Sequence, residues 1–221
     1  MFGAPIGTGT QDTTLGPLSL RETSSYFGSH FTSNMKAAMD IDQRRILDST
    51  KVAGRIVDLG DIDFGRSPVD VEASIAHVAS AICRQGALPM MLGGATRHAA
   101  PMRRGMEAGL GRSVTLTVLD GEWLPSDDAR LLVAIDLASV ASTWHGATPR
   151  ARFSGLSLSD IRKRVRLLGT ASLAGIAVTG LEPTRAGLAT VKTAQRLVVT
   201  AVLDLIYGYL DALRPAEAAH G

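Results

Sequence analysis

The 221-residue chain has a single cysteine, Cys83, which excludes a disulfide framework and a zinc site built on thiolates. Lysine is scarce too. The 23 basic residues are 19 Arg and four Lys, balanced by 21 acids, and no block of like charge stands out. A net charge of +2 is too small to argue for nucleic acid as a partner. No stretch approaches the roughly 20 consecutive apolar residues of a membrane span. The chain does not open with a basic-then-apolar signal segment, so the expectation is a soluble cytoplasmic protein. No Pro/Gly/Ser linker and no fixed-period repeat divides it. What is present is ordinary globular material, 45% hydrophobic and 20% charged. The expected organisation is one domain over residues 1–213 with a flexible tail over 214–221.

Short apolar runs alternate with helical patterns. Arg55-Ile-Val-Asp-Leu-Gly-Asp61 reads as a buried strand. Ser67-Pro68 opens a helix, and Val71, Ile75, Val78 and Ile82 mark one face of it as far as Gly86. Pro89–Leu92, Ser113–Leu119, Arg130–Ile135 and Leu173–Thr179 read as further strands. Helices are expected over His98–Leu110, Ser157–Leu168 and Thr190–Leu213. The last has a core stripe of Leu197, Val198, Val202, Leu205, Ile206 and Tyr209. Strands without polar alternation are buried on both faces. Their alternation with helices predicts a three-layer α/β/α fold around a mainly parallel sheet. Sites in such folds lie at the carboxyl ends of strands.

The loops after those strands carry the candidate chemistry. Gly93-Gly94-Ala95-Thr96-Arg97-His98 follows one, Asp120-Gly121-Glu122-Trp123-Leu124 another, Asp136-Leu137-Ala138 a third and Gly180-Leu181-Glu182 a fourth. Asp120, Glu122 and Asp136 are hard oxygen donors able to hold one divalent ion, at most one Mn²⁺ or Mg²⁺. The other reading is that each carboxylate binds free backbone N–H groups in its own loop. Asp120, Glu122, Asp136 and His145 are the acid–base candidates. Arg97, His98 and Trp144 are the candidates for holding a ligand, Arg97 through a bidentate grip on a carboxylate. A second reading of Arg97 pairs it with Asp120 or Asp136. His30, His77 and His220 read as surface positions, and Cys83 as a small core residue. Arg162-Lys163-Arg164-Val165-Arg166 is a basic run on a solvated helix face.

These segments resemble, in order, those of the ureohydrolases: arginase, agmatinase and formimidoylglutamase. Gly3-Ala4-Pro5 resembles the family's first strand, and Gly16-Pro17-Leu18-Ser19-Leu20-Arg21 its Gly-Pro-x-x-Ile-Arg segment. Asp58-Leu59-Gly60-Asp61 resembles its Asp-Leu-Gly-Asp strand. Gly93-Gly94 resembles the start of Gly-Gly-Asp-His-Ser, Ile135-Asp136 the start of Ile-Asp-x-Asp, and Gly155-Leu156-Ser157 its Gly-Gly-Leu-Ser. The resemblance implies an arginase-like sheet and hydrolysis of guanidino or formimino C–N bonds by water held on two Mn²⁺ ions.

It also implies a ligand set that this chain mostly lacks. Ala95-Thr96 replaces Asp-His. In the Asp-Ala-His-x-Asp motif only the first acid survives, as Asp120, with Glu122 for His and Leu124 for the last Asp. In Asp-x-Asp only Asp136 survives, with Ala138 for its partner. Fifteen residues lie between Asp120 and Asp136, where the family carries a long block, so fewer strands are expected. The expectation is a degenerate ureohydrolase-like protein without dinuclear hydrolysis. It would act as a homo-oligomer, as a hetero-oligomer with an active homologue or pathway enzyme, or through a small ligand, with no nucleic acid and no membrane. Trp123, Trp144 and Phe153 are candidate contact residues. The alternative is a repurposed enzyme, metal-independent or with a single metal, working in the same cleft.

Overall fold

The computed structural model describes residues 1–6, 14–21, 37–40, 45–48, 56–63, 68–119, 130–137, 155–169, 172–182, 201–202 and 204–209. Five strands form one sheet: β1 (Phe2–Gly3), β4 (Met90–Leu92), β5 (Thr115–Val118), β6 (Arg130–Asp136) and β7 (Ser172–Thr179). Their spatial order is β1-β4-β7-β6-β5, and every neighbouring pair is parallel. The helices are α1 (residues 16–21), α2 (Pro68–Arg84), α3 (Ala99–Leu110), α4 (Leu158–Gly169) and α5 (described at 201–202 and 204–209).

Successive residues of β6 feed opposite cores. Leu131, Val133 and Ile135 face a cluster with Leu173, Ile176 and Val178 of β7, Ile161 and Val165 of α4, and Leu205 of α5. Leu132 and Ala134 face a second cluster with Met91, Ile75 and Ala79 of α2, and Met102 and Met106 of α3. The central strands are therefore covered on both sides, which is why they read as apolar runs without alternation. The three-layer α/β/α architecture with a mainly parallel sheet follows directly. On one side α2 and α3 lie unusually close. A Cβ on Gly105 would stand 2.1 Å from the Ala76 carbonyl oxygen. Only glycine permits that approach.

The remaining elements depart from the sequence reading in definite ways. Residues 56–60 form no regular strand, and Ile56, Val57 and Leu59 are exposed rather than buried. The segment runs beside the two-residue edge strand β1. The Leu59 amide donates to Met1 O, the Gly3 amide to Gly60 O and the Ile62 amide to Gly3 O. Asp58 and Asp61 explain the surface position: Arg21 of α1 forks across both carboxylates. A hairpin unread in the sequence, β2 (Ala37–Asp40) and β3 (Arg45–Asp48), pairs antiparallel as a separate sheet. Of the expected α5 stripe, Val202 and Leu205 are buried and Ile206 and Tyr209 partly so, with Tyr207 buried in addition. Leu197, Val198 and the tail lie outside the described residues, as does Ser67 ahead of α2. Cys83 is buried, as expected. Among the described residues no helix is long and apolar enough to cross a membrane.

Candidate functional site at the strand ends

The carboxyl ends of β4, β7 and β6 lie side by side, and the loop leaving β4 spans the middle one. The Gly93 amide donates to Val178 O, and the Gly180 amide donates back to Gly94 O. These two bonds fasten the β4 loop across the end of β7, so that it reaches β6. There the Thr96 hydroxyl donates to Oδ2 of Asp136, the last residue of β6. Asp136 is half-buried, and its register partner Thr179 projects from the same face. The Thr179 hydroxyl is fully buried and has no hydrogen-bond partner among the described residues. Just beyond β7, Glu182 is also fully buried.

The loop then enters α3 through a 3₁₀ turn at Thr96–His98. His98 is 1% exposed, and its Nδ1 accepts the Ala95 amide at 3.0 Å. That bond makes Nδ1 the unprotonated nitrogen and leaves the proton on Nε2. Arg97 Nε stands 3.4 Å from Nε2. The Arg97 N–H is aimed at Nε2 but at the outer limit of hydrogen-bond distance, so the shorter Ala95 bond claims the single acceptor nitrogen of the neutral ring. Burial, reinforced by the Arg97 charge, holds the His98 imidazole below the usual histidine range, with Glu72 of α2 opposing. The arrangement depends on glycine at position 94. Its φ is +77°, and a Cβ there would meet His98 Nδ1 at 2.8 Å.

The candidates therefore separate. Asp136 and His98 are each engaged by a residue of the Gly93–His98 loop. Arg97 of the same loop is exposed. Among the described residues Arg97 makes no ion pair with Asp136, and the other partner in the second reading of this residue, Asp120, lies outside them. The short hydroxyl of Thr96 reaches the carboxylate first. Asp120, Glu122, Trp123, Leu124, Ala138, Trp144, His145 and Phe153 lie outside the described residues. Of the three candidate metal ligands only Asp136 is described, and one of its oxygens is taken by Thr96. Among the described residues no three His, Cys, Asp or Glu side chains gather to hold an ion. Sequence reasoning marked Thr96 only as a replacement and missed it as the partner of Asp136. The signal was available: a hydroxyl at a position where the resemblance sets a metal-binding imidazole.

A second constellation lies at the β1 edge. Arg21 Nε sits 2.7 Å from Asp58 Oδ2, and another guanidinium nitrogen bonds Asp61. Burial disfavours the Asp58 carboxylate, but Arg21 and the Gly60 amide outweigh it and hold the group below the usual carboxylate range. Two of the motif segments, far apart in sequence, are thereby joined by one guanidinium. Its work is to bind α1 to the 56–62 segment.

Comparison with known proteins bears on the whole architecture. A family model described as the arginase family matches residues 1–121. No sequence among curated proteins matches the chain. Among solved structures, formimidoylglutamase from Bacillus subtilis aligns over 96% of this chain and 87% of its own, at 12% identity and a TM-score of 0.70. A hypothetical agmatinase from Burkholderia thailandensis aligns over 96% and 85%, at 16% identity and TM-score 0.72. Trypanosoma cruzi formiminoglutamase, crystallised with Mn²⁺, aligns over 97% and 92%, at 14% identity and TM-score 0.70. At these identities the structures establish the fold, while the family model covers more than half of the sequence. The chain belongs to the arginase family.

Proposed function

We infer that this chain is a non-catalytic member of its family, which has lost dinuclear-manganese hydrolysis and acts by binding a partner subunit or a small ligand. The observation that carries this reading is the bond from Thr96 to Asp136. The resemblance puts a metal-binding imidazole at position 96 and a metal-binding carboxylate at position 136. Here the Thr96 hydroxyl donates to the Asp136 carboxylate instead. Two divalent ions at close range carry four positive charges, and several carboxylates and imidazoles must offset their lost hydration. A threonine hydroxyl, with Ala95 beside it and Leu124 and Ala138 at two further ligand positions, does not supply that set.

Binding to another protein is supported by apolar side chains left in water around α1 and the β1 edge. Leu18 is 52% exposed, Val57 61% and Leu59 56%. Charged neighbours at Arg21, Asp58 and Asp61 give that region a polar rim, as interfaces have.

Protein purified in excess Mn²⁺ and desalted tests the reading by metal analysis and by assay with arginine, agmatine and formiminoglutamate. The expected result is well under one ion per chain, with no release of urea or formamide. Two tightly held ions and turnover of any of these compounds would overturn it.

A further inference from the structure

The loop that carries Thr96 is pinned by an unusual device. At the start of a helix, free backbone amides are commonly met by the side chain of the third helical residue, usually Glu or Gln, reaching back to the residue at the cap. Here the cap residue is Ala95, and the third residue is His98, whose imidazole takes the acceptor's place. Unlike Glu or Gln in neutral solution, an imidazole gives up its acceptor nitrogen near physiological pH.

We propose that His98 is an acid-sensitive latch on the strand-end loop, whose protonation releases the Ala95 amide and with it the grip of Thr96 on Asp136. The geometry leaves little room for accommodation. A protonated Nδ1 would set N–H against the Ala95 N–H across 3.0 Å. His98 is buried, and Gly94 lies directly against it. The imidazolium must leave its seat or the loop must move. The charged groups facing His98 are Arg97 on its own turn and Glu72 from α2. Glu72 is itself bonded at 2.9 Å by Arg104 of α3. Arg97 disfavours the imidazolium. Glu72 favours it but is already shared with Arg104. The sheet side adds Asp136, reached through Thr96.

The direction follows from the burial. The folded protein keeps His98 neutral below the point where a free imidazole charges, about pH 6.5. The contribution of the latch is thus complete above that pH and is lost as the pH falls through the lower folded value. The latch operates on the site described above, but it does not depend on the loss of hydrolysis. Its readouts are amide protection and imidazole shifts, so its failure and that of the functional reading are distinguishable.

The full-length protein is followed by ¹⁵N NMR of the imidazole and by residue-resolved hydrogen exchange between pH 4 and 8. The expected result is an Nε2–H tautomer at neutral pH and an Ala95 amide whose protection drops about tenfold as His98 charges, beyond the intrinsic pH effect. His98→Gln keeps an acceptor that does not titrate, so Ala95 should stay protected in acid. An Nδ1–H tautomer in the wild type, Ala95 protection unchanged through the His98 titration, or the same acid loss in His98→Gln would overturn the proposal. The wild-type titration decides the matter if His98→Gln fails to fold.

Discussion

Thr96 and Asp136 are forty positions apart, and nothing in their local sequence joins them. The connection comes from strand order. Since β7 lies between β4 and β6, the loop after β4 must cross one strand end to touch the next, and the Gly93 and Gly180 amides hold it there. Each residue was legible in the sequence against a ligand set, Thr96 as a departure from it and Asp136 as a survivor of it. Their meeting was not, because sequence spacing says nothing about which strand inserts between two others. The same holds for His98, readable as a helix-start residue but not as the acceptor for Ala95. Thr96→Val keeps the shape and removes the donor. A hydrogen bond to a charged group contributes about 1.5–3 kcal/mol when buried, and half-exposure of Asp136 reduces this to about 1 kcal/mol. Urea unfolding should show a loss of that size for Thr96→Val, and at least as much for Asp136→Ala, which takes away the whole carboxylate. The double variant should lose much less than the sum of the two. Strict additivity would mean that the two side chains do not act on each other.

Elements whose character was set by one clear periodicity were legible. The central strands are apolar because helices cover both faces, and α2 carries Val71, Ile75 and Cys83 inward together. The 55–61 segment was misread because Ile56, Val57 and Leu59 look like core. Asp58 and Asp61 fix it instead at the surface, where Arg21 can reach both. The β2–β3 hairpin was missed for lack of a two-residue turn signature between its strands. How closely two helices pack is likewise invisible until they meet. Glycine within α3 suggests a weak helix, yet Gly105 lets α3 approach α2 closely enough for backbone contact. Gly105→Ala therefore sets two effects against each other. Alanine improves helix propensity by up to about 1 kcal/mol. Its methyl group would overlap the Ala76 carbonyl, and overpacking of this kind costs about 1–3 kcal/mol. Backbone is the obstacle, and no side-chain rotation relieves it, so net destabilisation is expected in thermal melts. A more stable variant would show that the helices separate freely.

At the scale of the molecule, one sheet separates two cores that share every central strand. Leu131 and Leu132 are neighbours in the chain but belong to opposite clusters. A sheet cannot keep its strands paired while one face is stripped of its helices and exposed to water, because the same backbone ladder supports both faces. The two cores should therefore melt together, as the expected single domain requires. Ile75 of α2 is fully buried in one cluster and Ile161 of α4 is 1% exposed in the other. Truncation of either to alanine should remove about 2–5 kcal/mol, from lost burial and the cavity left behind. The sheet keeps the two sites from sharing a cavity, so the double variant should lose the sum to within about 0.5 kcal/mol. Far-UV circular dichroism and calorimetry should report one coincident transition for each variant. If Ile161→Ala instead shifts only one of two resolved transitions, the α2–α3 face folds without the other. The sheet would then be a boundary between two units rather than the shared wall of one.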